Sequence, residues 1–537
     1  MDRYGDGYGG ICTTYIRVAS PITTFRSSIA SCLRAGSTTM SDDRLTISTV
    51  SLANFKQRVL LAASNGRFAA MTAYRNDDQM FYIEVVVSSR SEINLIRASL
   101  ELNQKNYPSL SPQIPAAIWY EREIHDTYGL IADGHPELSP LVSRPTECFK
   151  LGRLYKNDAD IRGSKVMGNV RGEGVFSIPY GPVRSGVFES IEYRVYSFGE
   201  DIPLVEIRPY YKRRGVASCF EKMTAEDGVI LAERVEGTLS VAHATAYCQG
   251  LEQLSSTRPP KIAELGRVIL AELERIANHL DTMVRHTEAA GQAIAYARLS
   301  FSKERIMRLR LLLSGSRFSR GIVVPGGLNA PLALSPMAII TAITDIENIM
   351  LSDIEALMTT PSFLDRLRNT GKITVAEAAK TGAIGPIARA SGSYEDIRGT
   401  RPYGGYRYLG FNLAPPMYQG DALARALVRI EEIRQSLHLI RQAADEIAEI
   451  NPASLNPESW RCNLEIKDGL VVSSVESPQG ELLYHLEVSN KKLKRVWVRC
   501  ASFHNMALFP TAFKGDILTD FAFIEASFGL CIAGVAG

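Results

Sequence analysis

The residues whose types and spacing could do chemistry lie mostly in the middle of the chain, and one of them is a histidine near the start of a predicted helix. Residues 233–243 are predicted to form a turn that leads into this helix, whose first turns carry a single imidazole, His243. An imidazole can carry a proton near neutral pH or bind a metal, but a lone histidine at such a position is more often a hydrogen-bonded structural group. The local pattern alone therefore favours a structural role.

A longer predicted helix carries carboxylates, guanidinium groups and imidazoles together. Its polar residues are Glu272, Glu274, Arg275, His279, Asp281, Arg285 and His286. Glutamate and histidine at these spacings could ligate a metal ion. Ion pairs between residues three or four positions apart explain the same pattern equally well. We therefore assign no metal ligand to this helix.

Two other patterns have plainer explanations than chemistry. The basic run 212–214 could hold an anion or a carboxylate of a partner, because arginine binds such groups through two parallel hydrogen bonds, but a solvated turn explains it as well. The glycine-rich segments 381–386 and 401–406 lack the strand and helix that flank a dinucleotide-binding GxGxxG motif. Close backbone packing is the leading explanation for these glycines.

Composition excludes several classes of protein. The cysteines include no CxxC pair, which is typical of a reduced, intracellular chain that holds no iron–sulfur cluster of its own. The net charge of +2 offers no basic excess for a nucleic-acid backbone, so we expect no nucleic-acid partner. No stretch reaches the roughly 18 consecutive apolar residues that cross a bilayer, so membrane contact must come through partner proteins.

The elements that must position these residues follow from the apolar periodicity of a chain with 45% hydrophobic residues. The N-terminal part mixes a helix with strands, and a helix beginning near 114 ends near Gly129. The early predicted elements are a helix over 51–64 and a hairpin of strands over 68–74 and 79–87. The later ones are strands within 191–207 and 464–498 and helices over 233–254, 261–288, 301–314, 336–358, 421–449 and 511–528.

This order predicts an α+β fold in two domains. Residues 1–44 form a predicted flexible extension, 45–140 a small α+β domain and 141–175 a linker rich in Arg, Gly and Pro. Residues 176–537 form a mainly α-helical domain with flanking β-strands.

Ordered segments in both domains resemble a known arrangement, the fused quinone-module subunits of complex I found in formate-hydrogenlyase-type membrane-bound hydrogenases. The segments that resemble the 30 kDa-type subunit are 119–123, Asp126, 128–129 and 134–136. The segments that resemble a nickel–iron hydrogenase large subunit or its 49 kDa-type complex I relative are 181–183, 206–208, 211–215, 240–243, 246–249, 272–280, 401–403 and 420–422.

The chain departs from this family at the metal ligands. A catalytic large subunit holds nickel and iron with thiolates from two CxxC pairs, since soft sulfur ligands suit these metals. The resemblance places the first pair at Glu236 and Leu239 and the second at Cys531 and Gly534, so three of the four positions lack a thiol. It therefore implies a chain that has lost the nickel ligands and argues against hydrogenase activity.

The complex I branch of the family implies a quinone in the emptied cavity. In that branch, the polar side chains that bind the quinone lie on the first hairpin and near the loop of the first thiolate pair. These positions correspond here to Arg184–Gly186 and to Gly237, so neither carries the polar side chain that is usual in the family. The resemblance implies Glu236 and His243 as catalytic proton carriers, and Arg184, Glu236, His243 and Cys531 as the residues lining a quinone cavity.

The resemblance also implies the setting in which the chain works. It implies a peripheral subunit of an oxidoreductase complex on the cytoplasmic side of the cell membrane, between an iron–sulfur small subunit and ion-translocating membrane subunits. Any iron–sulfur cluster would belong to that partner. The alternative is a structural scaffold whose cavity is filled by side chains, which the apolar or absent side chains of Leu239 and Gly534 favour.

Overall fold

Runs of β-branched and small apolar residues build the first sheet of the protein. Its strands are β1 (Arg44–Val50), β2 (Arg67–Arg75), β3 (Phe81–Ser88) and β4 (Glu92–Leu100). The sheet order is β1-β4-β3-β2, with β1 parallel to β4 and the other neighbours antiparallel. Helix α1 (Leu52–Asn65) packs on this sheet through Phe55 and Val59, which are fully buried. The predicted helix and hairpin are confirmed.

The computed structural model describes residues 44–90, 92–142, 174–184, 189–209, 211–221, 223–450 and 457–537. The predicted extension, apart from Arg44, and nearly all of the predicted linker lie outside these residues. Residues 43–537 form one compact unit, so the two predicted domains pack against each other.

A helix that begins shortly after a proline packs the first domain against the second. Helix α2 (Ile118–Tyr128) follows a short 3-10 turn at Pro115 and ends at Gly129, whose positive φ of 69° suits glycine. It lies between two short parallel strands, β5 (Asn106–Pro108) and β6 (Ile131–Asp133). Tyr120 packs edge to face on Phe503, with ring centroids 5.2 Å apart.

Three antiparallel strands precede the helices of the second domain; the last two confirm the strands predicted within 191–207, and the first was not predicted. They are β7 (Val175–Tyr180), β8 (Glu192–Phe198) and β9 (Asp201–Arg208). The first helices of the domain are α3 (Val216–Phe220), α4 (Gly228–Ala232), α5 (Ser240–Leu254), α6 (Lys261–Ala289) and α7 (Ala293–Ser314).

Two long helices form the centre of the second domain. Helix α13 (Ala422–Ala448) begins at Asp421, whose carboxylate accepts the Ala424 N–H at 2.8 Å, and it packs along α6. The helices before it are α8 (Pro336–Met358), α9 (Pro361–Leu367), α10 (Val375–Lys380), α11 (Gly385–Ala390) and α12 (Ile397–Thr400). Within the described residues, no helix is both long enough and apolar enough to span a bilayer.

A second antiparallel sheet follows these helices, and α5 packs on it. Its strands are β12 (Gly469–Ser477), β13 (Gly480–Ser489) and β14 (Lys492–Arg499); the two-residue pair β10 (Val323–Val324) and β11 (Gly327–Leu328) lies apart. The chain continues through α14 (Ala501–Met506), α15 (Phe521–Phe528) and α16 (Ile532–Val535).

The α+β class is confirmed, but the predicted final helix over 511–528 is wrong over its first half. Only α15 is an α-helix there, and two 3-10 turns precede it at 509–513 and 518–520. Gly515 lies between these turns with a φ of 84°, which interrupts the helical conformation. Apolar spacing alone does not reveal such an interruption.

Candidate functional site

The predicted carboxylate and imidazole lie together in the core of the second domain. Glu236 belongs to the turn before α5, and His243 to the first turn of α5 itself. Both are buried, and Glu236 Oε1 lies 3.6 Å from His243 Nε2. The other ring nitrogen, Nδ1, lies 2.8 Å from the hydroxyl of Tyr484 on β13. The pair is thus close enough for a proton to pass between the two side chains after a small movement.

A buried glutamate fixes the start of α5 and so positions His243. Glu274 on α6 accepts hydrogen bonds from the backbone N–H groups of Val241 at 2.9 Å and Ala242 at 3.0 Å. Arg310 on α7 also donates to this carboxylate, at 3.1 Å. A carboxylate at a helix N-terminus satisfies otherwise free N–H groups and interacts favourably with the helix dipole.

Two atoms of the buried pair have no hydrogen-bond partner among the described residues. They are Glu236 Oε2 and His243 Nε2. Leaving a buried polar atom unsatisfied costs roughly 1–3 kcal/mol, so each of these atoms calls for a partner or a role beyond filling space. The free atoms suit a site that binds or transfers something.

Cysteine and glycine residues close the site on its other side. A Cβ atom added to Gly534 would overlap Glu236 Oε1 and would lie 2.7 Å from Cys500 Sγ. The Cys500 thiol donates to the Gly534 carbonyl at 3.0 Å. Burial, followed by the charge of Glu236, raises the pKa values of Cys500 and Cys531, so both groups are neutral thiols at pH 7.

One arginine of the basic run donates hydrogen bonds to both chain segments that form the site. Arg214 Nη2 donates to the Val235 carbonyl at 2.6 Å and to the Ala533 carbonyl at 2.5 Å. Lys212 and Arg213 are exposed, as expected of a solvated turn. Arg214 therefore has a structural role that local sequence did not reveal.

The structure brings together only part of the predicted quinone lining. Glu236, His243 and Cys531 belong to one cluster, as the preceding contacts and pKa effects indicate. Arg184 instead makes a two-bond ion pair with Glu525, at 3.0 and 2.6 Å, and lies over the ring of Tyr180. Residues 185 and 186 of the same predicted hairpin lie outside the described residues.

A cleft of about 700 Å³ between the two domains reaches the edge of this cluster. Cys500 and Gly534 line it, whereas Glu236 and His243 do not. Its aromatic lining residues are Tyr74, Tyr128, Trp497 and Phe503, and its basic ones include Arg213, Lys494 and Arg495. A ligand at the end of the cleft nearest the cluster would contact Cys500 and Gly534, and Glu236 lies directly behind Gly534.

Ion pairs account for part of the polar pattern of α6. Two of them, Glu272–Arg275 and Asp281–Arg285, join residues three or four positions apart as expected, and other contacts reach distant parts of the chain. Glu272 pairs with Arg398 at 3.0 Å, and His279 Nε2 lies 2.9 Å from Glu432. Burial lowers the pKa of His279 to about 4, so it is neutral at pH 7.

Tyr484 and Cys500 are the members of the cluster that sequence reasoning missed. Tyr484 contacts a residue 241 positions away, and nothing in its own strand pattern marks it. Cys500 is visible as a cysteine but has no spacing relation to Cys531. Only the folded chain places them together.

Comparisons with known proteins agree with this architecture. The family model described as the 30 Kd subunit of respiratory-chain NADH dehydrogenase matches residues 50–151, and the 49 Kd subunit model matches 291–536. The chain is a fusion of complex I 30 kDa-type and 49 kDa-type domains. As such it belongs to the complex I-like, hydrogenase-related subunits.

Relatives of this fused protein occur in both branches of the family. Formate hydrogenlyase subunit 5 of Escherichia coli K12 is 26% identical over 450 residues, covering 81% of this chain and 78% of the relative. Membrane-bound hydrogenase subunit alpha of Pyrococcus furiosus is 29% identical over 66% of this chain and 86% of its own. The C/D subunit of NADH-quinone oxidoreductase from a Psychrobacter species is 24% identical over 85% of this chain and 84% of its own.

Proposed function

We propose that this fused subunit is a nickel-free, proton-handling component of a membrane oxidoreductase complex, with Glu236 and His243 as its proton carriers. The observation that carries the proposal is the buried pair itself, with its 3.6 Å separation and two unpartnered atoms. A carboxylate and an imidazole placed in this way can exchange a proton without a change in fold. Tyr484 orients the imidazole through its bond to Nδ1.

The residues present do not fit a nickel–iron centre. Leu239 and Gly534 have no ligand atom, and the Glu236 carboxylate occupies the space that a side chain at 534 would need. Soft metals of this kind are held by several thiolates, whereas Cys531 is the one thiol among the four corresponding positions.

The interdomain cleft is our candidate for a quinone site. Its four aromatic side chains offer faces on which a flat ring can stack, and its many polar and charged side chains could bind the ring's carbonyl groups. In this arrangement Cys500 and Gly534 would contact the ring, and Glu236 behind them would supply or accept its proton. The predicted lining by Arg184 finds no support in its contacts.

The proposed partners are an iron–sulfur subunit and membrane subunits that move ions, with this chain peripheral on the cytoplasmic side. Exposed apolar side chains on α7 support assembly with other proteins. Ile294, Phe301 and Leu312 are 78%, 57% and 61% exposed. Large apolar side chains exposed along one helix are a feature of surfaces that contact other proteins.

Replacing Glu236 with glutamine tests the proton-handling role. Glu236→Gln keeps the shape of the side chain but cannot carry a proton, so we expect turnover of the complex to fall by about 100-fold or more while the subunit stays folded. Glu233→Gln is the matched control, because Glu233 is also buried but accepts a structural hydrogen bond from the Gly321 N–H at 2.6 Å. Full turnover in Glu236→Gln would remove Glu236 from the mechanism.

A scaffold is the second candidate function, favoured by the tight filling around Gly534. Quinone binding separates the two candidates. Trp497 lines the cleft, so a quinone analogue should quench tryptophan fluorescence saturably, and the Trp497→Phe variant should lose this component. Absence of saturable quenching, together with full turnover in Glu236→Gln, would leave the scaffold.

A further inference from the structure

A buried group of charges lies beyond the candidate site, and its carboxylates outnumber the arginines that pair with them directly. Its members are Glu272 and Arg275 on α6, Arg389 on α11, Asp396 before α12, Arg398 on α12, Glu432 on α13 and Glu476 on β12. All seven are at least nine-tenths buried. His279 is neutral, so it adds no charge at pH 7.

Glu476 and Asp396 compete for one arginine within this group. Arg389 Nη1 donates to Glu476 Oε1 at 2.9 Å and lies 3.4 Å from Asp396 Oδ2. The same guanidinium also pairs with Glu432, at 2.8 Å. Arg398 donates to both oxygens of Asp396, at 3.0 and 2.6 Å, so Asp396 is the better stabilised anion.

Both carboxylates lie within 3.4 Å of the same Arg389 nitrogen, and two like charges gathered at one buried cation favour retention of one proton. Burial, followed by the charge of Asp396, raises the pKa of Glu476 to about 7. Three cations oppose this shift: Arg389 from α11, Arg275 from α6 and Arg398 from α12. Glu476 thus differs from Glu481 on the adjacent strand β13, whose pKa lies well below its usual value because Arg67 and Arg499 outweigh the effect of burial.

A small pocket borders both Glu476 and the first turns of α5. Its volume of about 20 Å³ is enough for one water molecule. Thr245, Glu274 and Glu476 are among the residues that line it. The Thr245 hydroxyl has no hydrogen-bond partner among the described residues, so a water here would satisfy a buried polar group.

One residue that lines the pocket also holds the start of α5. The Glu274 carboxylate accepts the backbone N–H groups of Val241 and Ala242, the two residues that precede His243. Glu274 therefore links the pocket to the turn of α5 that carries His243.

We propose that Glu476 and Asp396 share one exchangeable proton, and that a water beside Thr245 connects this pair through Glu274 to the Glu236–His243 site. The pair is then a proton store for the site, and in this respect the inference rests on the proposed function. The water donates a proton to the Glu476 carboxylate and accepts one from Glu274 in its protonated form, so the water stays neutral and Glu274 becomes the carboxylate. No electron moves, so no oxidant or reductant is needed.

Infrared spectra of the full-length chain at a series of pH values test the shared proton. The wild type should show a protonated-carboxyl band that disappears as the pH rises through about 7. The band should be lost in Glu476→Gln and kept in Glu481→Gln, the control on the adjacent strand. A band that persists in Glu476→Gln, or a wild type without such a band, would overturn the proposal.

A second variant guards against misfolding of Glu476→Gln. Asp396→Asn removes the neighbouring negative charge, so the band should titrate at a lower pH than in the wild type. A purely structural role for Asp396 would leave the midpoint unchanged and would contradict the shared proton.

Thr245→Val tests the water connection, because it removes the hydroxyl while keeping the shape of the side chain. We expect the Glu476 band to exchange with D2O more slowly, by about tenfold, if an ordered water bridges the groups. An unchanged exchange rate would overturn the connection. If Glu236→Gln loses turnover but keeps the Glu476 band, the result supports both the proposed function and the proton store. If the variant keeps the band and full turnover, only the proposed function is overturned.

Discussion

At the scale of single residues, the closest fit in the candidate site is between a carboxylate and a glycine. Glu236 occupies the volume that any side chain at Gly534 would need, and Cys500 Sγ would lie only 2.7 Å from a Cβ there. The two positions are therefore coupled although they lie almost 300 residues apart in the sequence. The buried Glu236 carboxylate, which has one unpartnered oxygen, therefore requires a neighbour as small as glycine at position 534.

This coupling can be measured with a double-mutant cycle. Gly534→Ala should destabilise the protein by about 1–3 kcal/mol, because it overpacks the site. In a Glu236→Ala background the same change should cost less, with an interaction free energy of about 0.5–3 kcal/mol. Urea unfolding of the four proteins gives both values, and additive costs would contradict the described contact.

Much of the cluster could be predicted from the sequence, but only through the resemblance. Local patterns favoured a structural His243, and family placement joined it with Glu236 and Cys531. Tyr484 and Cys500 escaped both approaches because their roles depend on contacts across the fold. Arg184 has the side chain of an anion-binding residue, and its anion is Glu525 of the same chain.

At the scale of elements, the site is a junction between a helix start and the C-terminal segment. Glu274 fixes the first turn of α5, and Arg214 binds the carbonyls on both sides of the junction. The precision of the site therefore comes from groups that do not themselves belong to the proton-carrying pair.

Removing the Arg214 side chain should loosen this junction. Arg214→Ala loses charge-assisted bonds to Val235 and Ala533, so we expect the free energy of unfolding to fall by about 2–3 kcal/mol. Hydrogen exchange should accelerate at residues 532–537. Lys212→Ala is the control, since its pairing with Glu189 is partly exposed and should be worth less than about 1 kcal/mol. Equal effects of the two changes would refute the role assigned to Arg214.

Elements were predictable where periodicity is long and uninterrupted. The prediction for α8 at 336–358 matches the structure at both ends, helped by Pro336 at its first turn. The segment 511–528 has similar apolar content, but its glycine and short turns divide it. In a long helix the periodic apolar pattern is clear despite a few residues that depart from it, whereas in a short helix one such residue hides the pattern.

At the scale of the whole molecule, a buried carboxylate of each domain contacts a basic side chain of the other. Arg67 on β2 lies 2.5 Å from Glu481 on β13, and Glu84 on β3 lies 2.9 Å from His485. Although burial opposes ionisation, His485 and Arg97 lower the pKa of Glu84 to about 2. The domain interface therefore depends on a carboxylate that must stay charged.

The stability of the whole chain should reflect this carboxylate in acid. Glu84 has an ordinary pKa of 4.5 and a folded value of about 2. Its contribution, about 3 kcal/mol, is therefore present above pH 4.5 and lost as the pH falls toward 2. Glu84→Gln should lower the urea midpoint strongly at pH 7 and much less at pH 3. The exposed Glu101→Gln is the control, and an equal loss at both pH values would contradict the prediction.

The contact between Glu236 and Gly534 also constrains the history of the chain. A lineage that gained a side chain at 534 first would place it against the Glu236 carboxylate and would pass through a destabilised intermediate. A path that replaces Glu236 first avoids this intermediate. Steric overlap therefore favours one order of mutation over the other, although the two residues are distant in the sequence.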